Sequence, residues 1–103
     1  MAVVEVTAEN FETEVMDEKK LVLVDFWAAW CGPCKMLSPL VDAFGEKRED
    51  IKVCKVNVDE QDELASKYHV MSIPTLVVFK DGEAVNRSVG LISPEEMETL
   101  VNV

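Results

Sequence analysis

The chain has 103 residues, of which 49% are hydrophobic, and it carries a formal net charge of −10 at pH 7. This length predicts a single domain over residues 1–103, with enough apolar side chains for one core that needs no metal or disulfide cross-link. The acidic balance disfavours nucleic-acid binding and association with an anionic membrane, since both require a basic surface, and we expect a monomer with a solvated acidic surface.

The N-terminal segment does not resemble an export signal. Residues 1–10 lack a basic region followed by an apolar one. The longest apolar stretch, residues 21–31, contains Asp25 and is far shorter than the ~20 residues that span a bilayer. The three cysteines do not form an even disulfide framework. The sequence therefore predicts a soluble protein of the cytoplasm.

Two strands and a helix are predicted before the first cysteine. Residues 3–6 indicate a short strand, and Thr7 is a candidate N-cap for a helix. That helix would place three apolar side chains on one face: Ala8, Phe11 and Val15. Residues 21–27 form a continuous apolar run, which is typical of a strand covered on both faces.

A second helix is predicted to follow Cys34, and Pro39 inside it should produce a kink. Its apolar stripe consists of Leu37, Leu40, Val41 and Phe44. The alternation in residues 51–58 indicates a third strand. A short third helix is then predicted from Leu64, Ala65 and Tyr68.

The last third of the chain predicts a hairpin and a helix. Strands at residues 75–80 and 85–89 flank Asp81-Gly82, a strong hairpin signal. Ser93 and Glu96 are spaced for a capping box, with Pro94 in the first turn. The buried stripe of this helix would be Met97, Leu100 and Val101.

The element order is thus β-α-β-α-β-α-β-β-α, which indicates an α/β fold with one mixed sheet between helices. Strands separated by helices are expected to run parallel, and the two strands of the final hairpin antiparallel.

The candidate chemistry lies at Cys31-Gly32-Pro33-Cys34, which follows a buried strand and begins a helix. Free N–H groups and the helix dipole favour a thiolate at this position. Pro33 suits the first helical turn, because its missing N–H would have had no partner, and Gly32 leaves room for another chain to approach the sulfur. A redox pair is one interpretation; half of a zinc site is the alternative, although only Cys54 and His69 remain as further ligands.

Other residues each have a functional and an ordinary interpretation. For Asp25 the two interpretations are a buried acid with a raised pKa and an outward-facing aspartate at a strand end. Trp30 serves partner docking or packing, whereas Trp27 is expected in or near the core. Cys54 is expected to be a small buried residue and His69 a surface residue at a helix end.

The motif Trp30-Cys31-Gly32-Pro33-Cys34-Lys35 resembles the thioredoxin family, and the resemblance covers the whole chain. The supporting segments are Phe26-Trp27-Ala28, Pro39, Ser72-Ile73-Pro74-Thr75, Lys80-Asp81-Gly82 and Val89-Gly90. The resemblance implies a thioredoxin fold, with a central mixed five-stranded sheet flanked by four helices. The chain departs from the family pattern at two positions. Cys54 stands where the family more often has an ordinary hydrophobic residue, and Leu91, after Gly90, is bulkier than the small residue common there.

The resemblance also implies catalytic roles. Cys31 would be the exposed nucleophile and Cys34 the buried resolving thiol. Asp25 would accept the proton of Cys34, with Lys55 in support. Pro74 would be cis and pack against the disulfide, although base rates for X-Pro bonds favour trans. The implied substrate-binding residues are Trp30, Gly32, Pro33, Ile73 and Gly90, beside Pro74.

The implied activity is reduction of disulfides in other proteins. The partners would be oxidised client proteins and a thioredoxin reductase that draws electrons from NADPH. The chain itself would bind no cofactor, and it carries no glycine-rich dinucleotide motif. Two alternatives stay open, an oxidase or isomerase on the same scaffold and a structural subunit that does not use its cysteines.

Overall fold

The computed structural model describes residues 3–103 of the chain. Within that range the sheet has five strands: β1 (Val3–Glu5), β2 (Leu21–Trp27), β3 (Ile51–Asn57), β4 (Thr75–Lys80) and β5 (Glu83–Val89). Four helical segments accompany it: a π-helical segment (Glu12–Met16), α1 (Gly32–Lys47), α2 (Asp62–Lys67) and α3 (Pro94–Leu100). The mixed five-stranded sheet with four helices confirms the predicted fold class.

The strand order across the sheet is β1-β3-β2-β4-β5. β3 runs parallel to both β1 and β2, whereas β4 is antiparallel to β2 and to β5. The expectation that helix-separated strands run parallel is therefore wrong for β3 and β4. The physical reason is that β4 takes its direction from the strand that it joins across the sheet, and it pairs antiparallel with β2. The helix that precedes β4 does not fix that direction.

This reversal positions the candidate site. Because β4 begins where β2 ends, Thr75 is the register partner of Phe26. The segment that carries Ile73 and Pro74 therefore lies at the same end of the sheet as the cysteine motif.

Both faces of β2 are buried, as its apolar run predicts. On one face, Val24 and Phe26 belong to a cluster with side chains of the π-helical segment and α2. On the other face, Leu23 packs in a cluster with apolar side chains of α1 and α3. Alternation along β2 places Asp25 on the α1 side of the sheet.

The N-terminal helix differs from its prediction. Thr7 does not cap a helix: residues 8–10 form a turn, and the helical segment begins at Glu12 with Phe11 as its N-cap. The Thr7 N–H donates to Asn10 Oδ1 at 2.7 Å and the Asn10 N–H donates to the Thr7 carbonyl oxygen at 3.3 Å, so residues 7–10 close a turn before the helical segment. Ala8 is consequently exposed, whereas Phe11 is buried as predicted.

Local signals elsewhere are confirmed. Asp81 and Gly82 both have positive φ, 52° and 81°, as a two-residue hairpin of this kind requires. Ser93 and Glu96 form the predicted capping box. Pro39 lies inside α1, and the kink expected there stays a prediction. None of the helices in residues 3–103 is both long and apolar enough to cross a bilayer.

Candidate active site

Cys31 and Cys34 form a disulfide at the start of α1, just beyond the end of β2. Their Cα atoms are 5.2 Å apart. Cys31 is the N-cap residue, and its sulfur accepts a hydrogen bond from the Cys34 N–H at 3.2 Å. Pro33 lies in the first turn, as predicted. A free N–H of the helix start thus points at the sulfur that would carry the thiolate charge.

The burial of Cys31 differs from what the resemblance implies, whereas Cys34 is buried as implied. Cys31 retains 4% of its surface and Cys34 3%, so in the disulfide form both are buried. The cause is packing, since both cysteines lie against Ala28 with Ile73 alongside. Gly32 is exposed, and a Cβ built on it would meet no atom within 4 Å among the described residues. Another chain can therefore approach the disulfide over Gly32.

The loop before β4 lies beside the disulfide. The Ile73–Pro74 peptide bond is cis, and the Ile73 carbonyl oxygen is 3.8 Å from the Cys31 sulfur. Gly90, at φ 97°, donates its N–H to the Pro74 carbonyl oxygen at 2.8 Å. The end of β5 thereby holds the loop in place.

An apolar groove of about 310 Å³ continues from this loop. Its lining consists of Trp30, Val58, Val70, Met71, Ser72 and Ile73. Trp30 is 69% exposed, and its indole N–H donates to Asp59 Oδ2 at 2.9 Å. The ring thus lies open to solvent with one end held in place, which favours docking over packing as the interpretation of Trp30.

Asp25 is buried, with 1% of its surface exposed, so the interpretation as an outward-facing aspartate is wrong. Within residues 3–103, neither of its carboxyl oxygens has a hydrogen-bond partner. Burial raises the pKa of Asp25 to about 7; the Lys55 ammonium acts in the lowering direction and the Asp42 carboxylate in the raising direction. Asp25 can therefore gain or lose a proton near neutral pH.

A cleft of about 310 Å³ connects Asp25 with Cys34. Its lining consists of Asp25, Trp27, Ala28, Ala29, Cys34, Lys35, Ser38 and Lys55. Lys55 is the register partner of Asp25 in β3. Its ammonium bonds to the Ser38 hydroxyl and lies 3.7 Å from Asp42 Oδ1.

The sequence did not single out Ser38 or Asp42. Both lie on the face of α1 that carries Cys34, at successive four-residue steps, and that spacing was the available signal. Trp27 is partly buried near this face, and its indole N–H has no partner in the described part of the chain.

Cys54 and His69 lie outside the site. Cys54 is buried in the cluster on the opposite face of the sheet from Asp25, and burial raises the pKa of its thiol to about 12. His69 is exposed just after α2. Among the residues that the structure describes, no group of three or more His, Cys, Asp or Glu side chains is arranged to hold a metal ion.

Comparisons with known proteins agree with this geometry. The family model described as Thioredoxin matches residues 2–103. Thioredoxin from Porphyra purpurea is 47% identical over 103 residues, covering 99% of this chain and 96% of that protein. Thioredoxin from Bacillus subtilis (strain 168) is 48% identical over 103 residues, covering 99% and 97%. Thioredoxin 1 from Nostoc sp. (strain PCC 7120 / SAG 25.82 / UTEX 2576) is 50% identical over 92 residues, covering 88% and 86%. The similarity thus extends well beyond the segment around the cysteines.

Proposed function

This chain belongs to the thioredoxin family and is a dithiol–disulfide exchange protein, and from that premise we propose that it reduces disulfides in other proteins through Cys31 and Cys34. One observation carries the proposal: the Cys31–Cys34 disulfide lies at the N-terminus of α1, directly beside the Ile73–Pro74 loop. A redox bond there is next to a surface on which a second chain can lie.

The reaction proceeds in two exchanges. The Cys31 thiolate attacks one sulfur of the client disulfide, so that a mixed disulfide forms and the client's other sulfur leaves as a thiolate. Cys34, once deprotonated, attacks the Cys31 sulfur, which closes the Cys31–Cys34 disulfide and releases the client's second thiolate. Two electrons pass to the client, and the two protons of the dithiol balance its two new thiols.

The fold accelerates the second exchange more than the first. Cys34 is already held against Cys31, with their Cα atoms 5.2 Å apart. The attack is therefore intramolecular and proceeds at an effective concentration that a free thiol cannot reach. The second cysteine is thus as important as the reactivity of the first.

Asp25 is the proton acceptor for Cys34, and Lys55 supports it. This role is consistent with the burial of Asp25, its pKa of about 7 and the cleft that it shares with Cys34 and Lys55. A base with a pKa near the working pH is the most effective choice for proton transfer.

The client lies as an extended segment across the docking surface. That surface consists of Trp30, Gly32, Pro33, Ile73, Pro74 and Gly90. The exposed indole of Trp30 and the open space over Gly32 support it. The backbone of Ile73 pairs with the client, while Pro74 packs against the disulfide.

The chain acts in the cytoplasm as a monomeric single domain. A thioredoxin reductase restores the dithiol with electrons from NADPH. This part of the proposal follows from family membership, and is tested by adding NADPH and a purified thioredoxin reductase to the oxidised protein. NADPH oxidation, followed at 340 nm, should depend on both proteins and stop when both cysteines are replaced by serine.

The central test uses Cys54→Ala as the background, so that only Cys31 and Cys34 remain. The reduced protein is mixed with two peptides joined by a disulfide, and peptide release is measured. Cys31→Ser should abolish release. Cys34→Ser should stop the reaction at a mixed disulfide between Cys31 and one peptide. Dithiothreitol should reduce this adduct and release the peptide.

Undiminished release by Cys31→Ser would contradict the proposal. The equilibrium with glutathione distinguishes a reductase from an oxidase or isomerase. We expect the protein disulfide to be harder to reduce than glutathione disulfide.

A further inference from the structure

The Lys55 ammonium is held by α1, although its strand neighbour is Asp25. Its Nζ atom donates to the Ser38 hydroxyl and lies 3.7 Å from Asp42 Oδ1. The ion pairs found within residues 3–103 include none between Lys55 and Asp25. The ammonium that acts on the buried carboxyl group is thus bound to other oxygens.

Ser38 and Asp42 can act together because they lie four residues apart on α1 and so share one face of the helix. The Lys55 side chain is 17% exposed and that of Asp42 is 55% exposed. Solvent therefore weakens the attraction between Asp42 and the ammonium, whereas the hydrogen bond to Ser38 is partly buried. Ser38 is the main anchor.

We propose that Ser38 is a positioning residue whose hydroxyl, assisted by the Asp42 carboxylate, holds the Lys55 ammonium on α1 and away from the Asp25 carboxyl group. This assignment rests on the proposed function, in which Asp25 accepts the proton of Cys34. A freed ammonium would move towards Asp25 whenever that carboxyl group is ionised. Asp25 would then be a weaker base.

The charged and titratable groups around Asp25 are few. β3 contributes Lys55, and α1 contributes Cys34, Lys35 and Asp42. β4 places Leu76 opposite Asp25, and it carries no charge. Burial is the main reason that Asp25 is basic, and Lys55 is the group that acts on it in the lowering direction, so the position of Lys55 adjusts the basicity that burial sets.

The test is the titration of the Asp25 carboxyl carbon, followed by NMR in the oxidised protein. Ser38→Ala removes the hydroxyl and keeps a good helix former, so α1 should be retained. We expect the Asp25 titration midpoint to fall by about half a pH unit or more, the size that corresponds to loss of one ordinary hydrogen bond. Ser38→Thr, which keeps the hydroxyl, should restore the parent midpoint.

A second background shows whether the effect passes through the lysine. In Lys55→Met, the change Ser38→Ala should leave the Asp25 midpoint where it is. An unchanged or raised midpoint in Ser38→Ala alone would overturn the assignment. So would a fall that persists in the Lys55→Met background.

One more variant, Asp25→Asn, separates this assignment from the proposed function. If the midpoint moves as expected while Asp25→Asn leaves the resolution of the mixed disulfide unaltered, Ser38 positions Lys55 and the proton-acceptor role of Asp25 is wrong.

Discussion

Asp25 and Lys55 are register partners in the parallel β2–β3 pair, yet the Lys55 ammonium bonds to Ser38 on α1, and Asp25 stays buried without a hydrogen-bond partner among residues 3–103. A buried carboxyl group without such partners favours its protonated form. The pair therefore provides a base that titrates near neutral pH at the cost of some stability.

That cost predicts how stability depends on pH. Burial raises the pKa of Asp25 to about 7 in the folded protein, against about 3.9 in the unfolded chain. Between these values the folded state keeps a proton that the unfolded state has lost. The contribution of Asp25 to the free energy of unfolding is thus complete below about pH 4 and falls by about 1.4 kcal/mol per pH unit up to about pH 7, some 4 kcal/mol in all.

Urea denaturation of the oxidised protein from pH 4 to pH 8 measures this decline against Asp25→Asn. The other carboxyl groups are common to both proteins and cancel in the comparison. Relative to the parent, the variant should gain stability steadily as pH rises. Parallel stability curves would show that Asp25 is not buried as a neutral acid.

The kinetics of the second exchange should depend on the same group. A preformed mixed disulfide between Cys31 and a peptide releases the peptide when Cys34 attacks. With Asp25 as acceptor, the release rate rises with pH through an inflection near pH 7, which follows the pKa of Asp25. Asp25→Asn should lose that inflection and slow release by about tenfold or more at pH 7.

Stopped-flow release at several pH values makes this measurement. Asp59→Asn removes another acid near the site, one that bonds to the Trp30 indole, and should keep the inflection. An inflection retained in Asp25→Asn would assign the proton acceptor elsewhere.

Local and nonlocal features differed in how well the sequence predicted them. The bounds of β2 follow from a continuous apolar run, and the hairpin and the capping box follow from residues next to each other in the chain. The direction of β4 does not follow from neighbouring residues, because it depends on which strand β4 joins across the sheet. The first helical segment starts later than predicted because residues 7–10 close a turn, in which the Thr7 N–H donates to Asn10 Oδ1 and the Asn10 N–H to the Thr7 carbonyl oxygen.

The candidate site shows the same division. The cysteine motif and the unusual Asp25 are visible in single segments of sequence. The spacing from Cys34 places Ser38 on the same face of α1, but the significance of Ser38 comes from its bond to Lys55 and so depends on the contact between β3 and α1. The burial of Cys31 likewise depends on packing against the distant Ile73.

Trp30 offers a test of docking that is separate from stability. Its side chain is 69% exposed, so Trp30→Ala should change the free energy of unfolding by only about 0.5 kcal/mol. An exposed aromatic residue at an interface commonly contributes more than about 1.4 kcal/mol to binding, which is tenfold in affinity. We therefore expect KM for a peptide disulfide to rise about tenfold, with kcat little changed.

Steady-state kinetics with the peptide disulfide separate the two constants. Trp30→Phe keeps an aromatic ring and should recover most of the affinity. A loss confined to kcat would indicate that Trp30 acts on the sulfur chemistry and not on docking.

Cys54 should be unreactive in the folded protein. The residue has 0% exposed surface, and burial raises the pKa of its thiol to about 12. A thiolate is the reacting species, so both access and ionisation oppose modification. After treatment of the reduced native protein with iodoacetamide at pH 8, mass spectrometry should find Cys54 unmodified.

Unfolding in guanidinium chloride before treatment should make Cys54 react fully, which controls for the reagent. Cys54→Ala should cost about 1–2 kcal/mol through the cavity that it leaves, without altering exchange through Cys31. An adduct on Cys54 in the native protein would reveal that the core opens at β3.

Asn86 and Arg87 are neighbours on the edge strand β5, and each binds the C-terminal end of a helix on its own face of the sheet. The Asn86 side-chain amide donates to the Leu100 carbonyl oxygen of α3 at 3.0 Å. The Arg87 guanidinium donates to the carbonyl oxygens of Tyr68 at 2.5 Å and His69 at 3.3 Å, just after α2. Carbonyl groups at helix ends lack partners within the helix, and these three hydrogen bonds supply partners for them.

The two side chains predict opposite patterns of amide hydrogen exchange. Arg87→Ala should speed exchange about fivefold or more at the amides of residues 68–70, which corresponds to loss of about 1 kcal/mol from local stability. Asn86→Ala should leave those amides protected and should instead speed exchange at residues 101–103. Each variant is thus the matched control for the other. Equal exchange at both helix ends in either variant would mean that β5 itself has loosened.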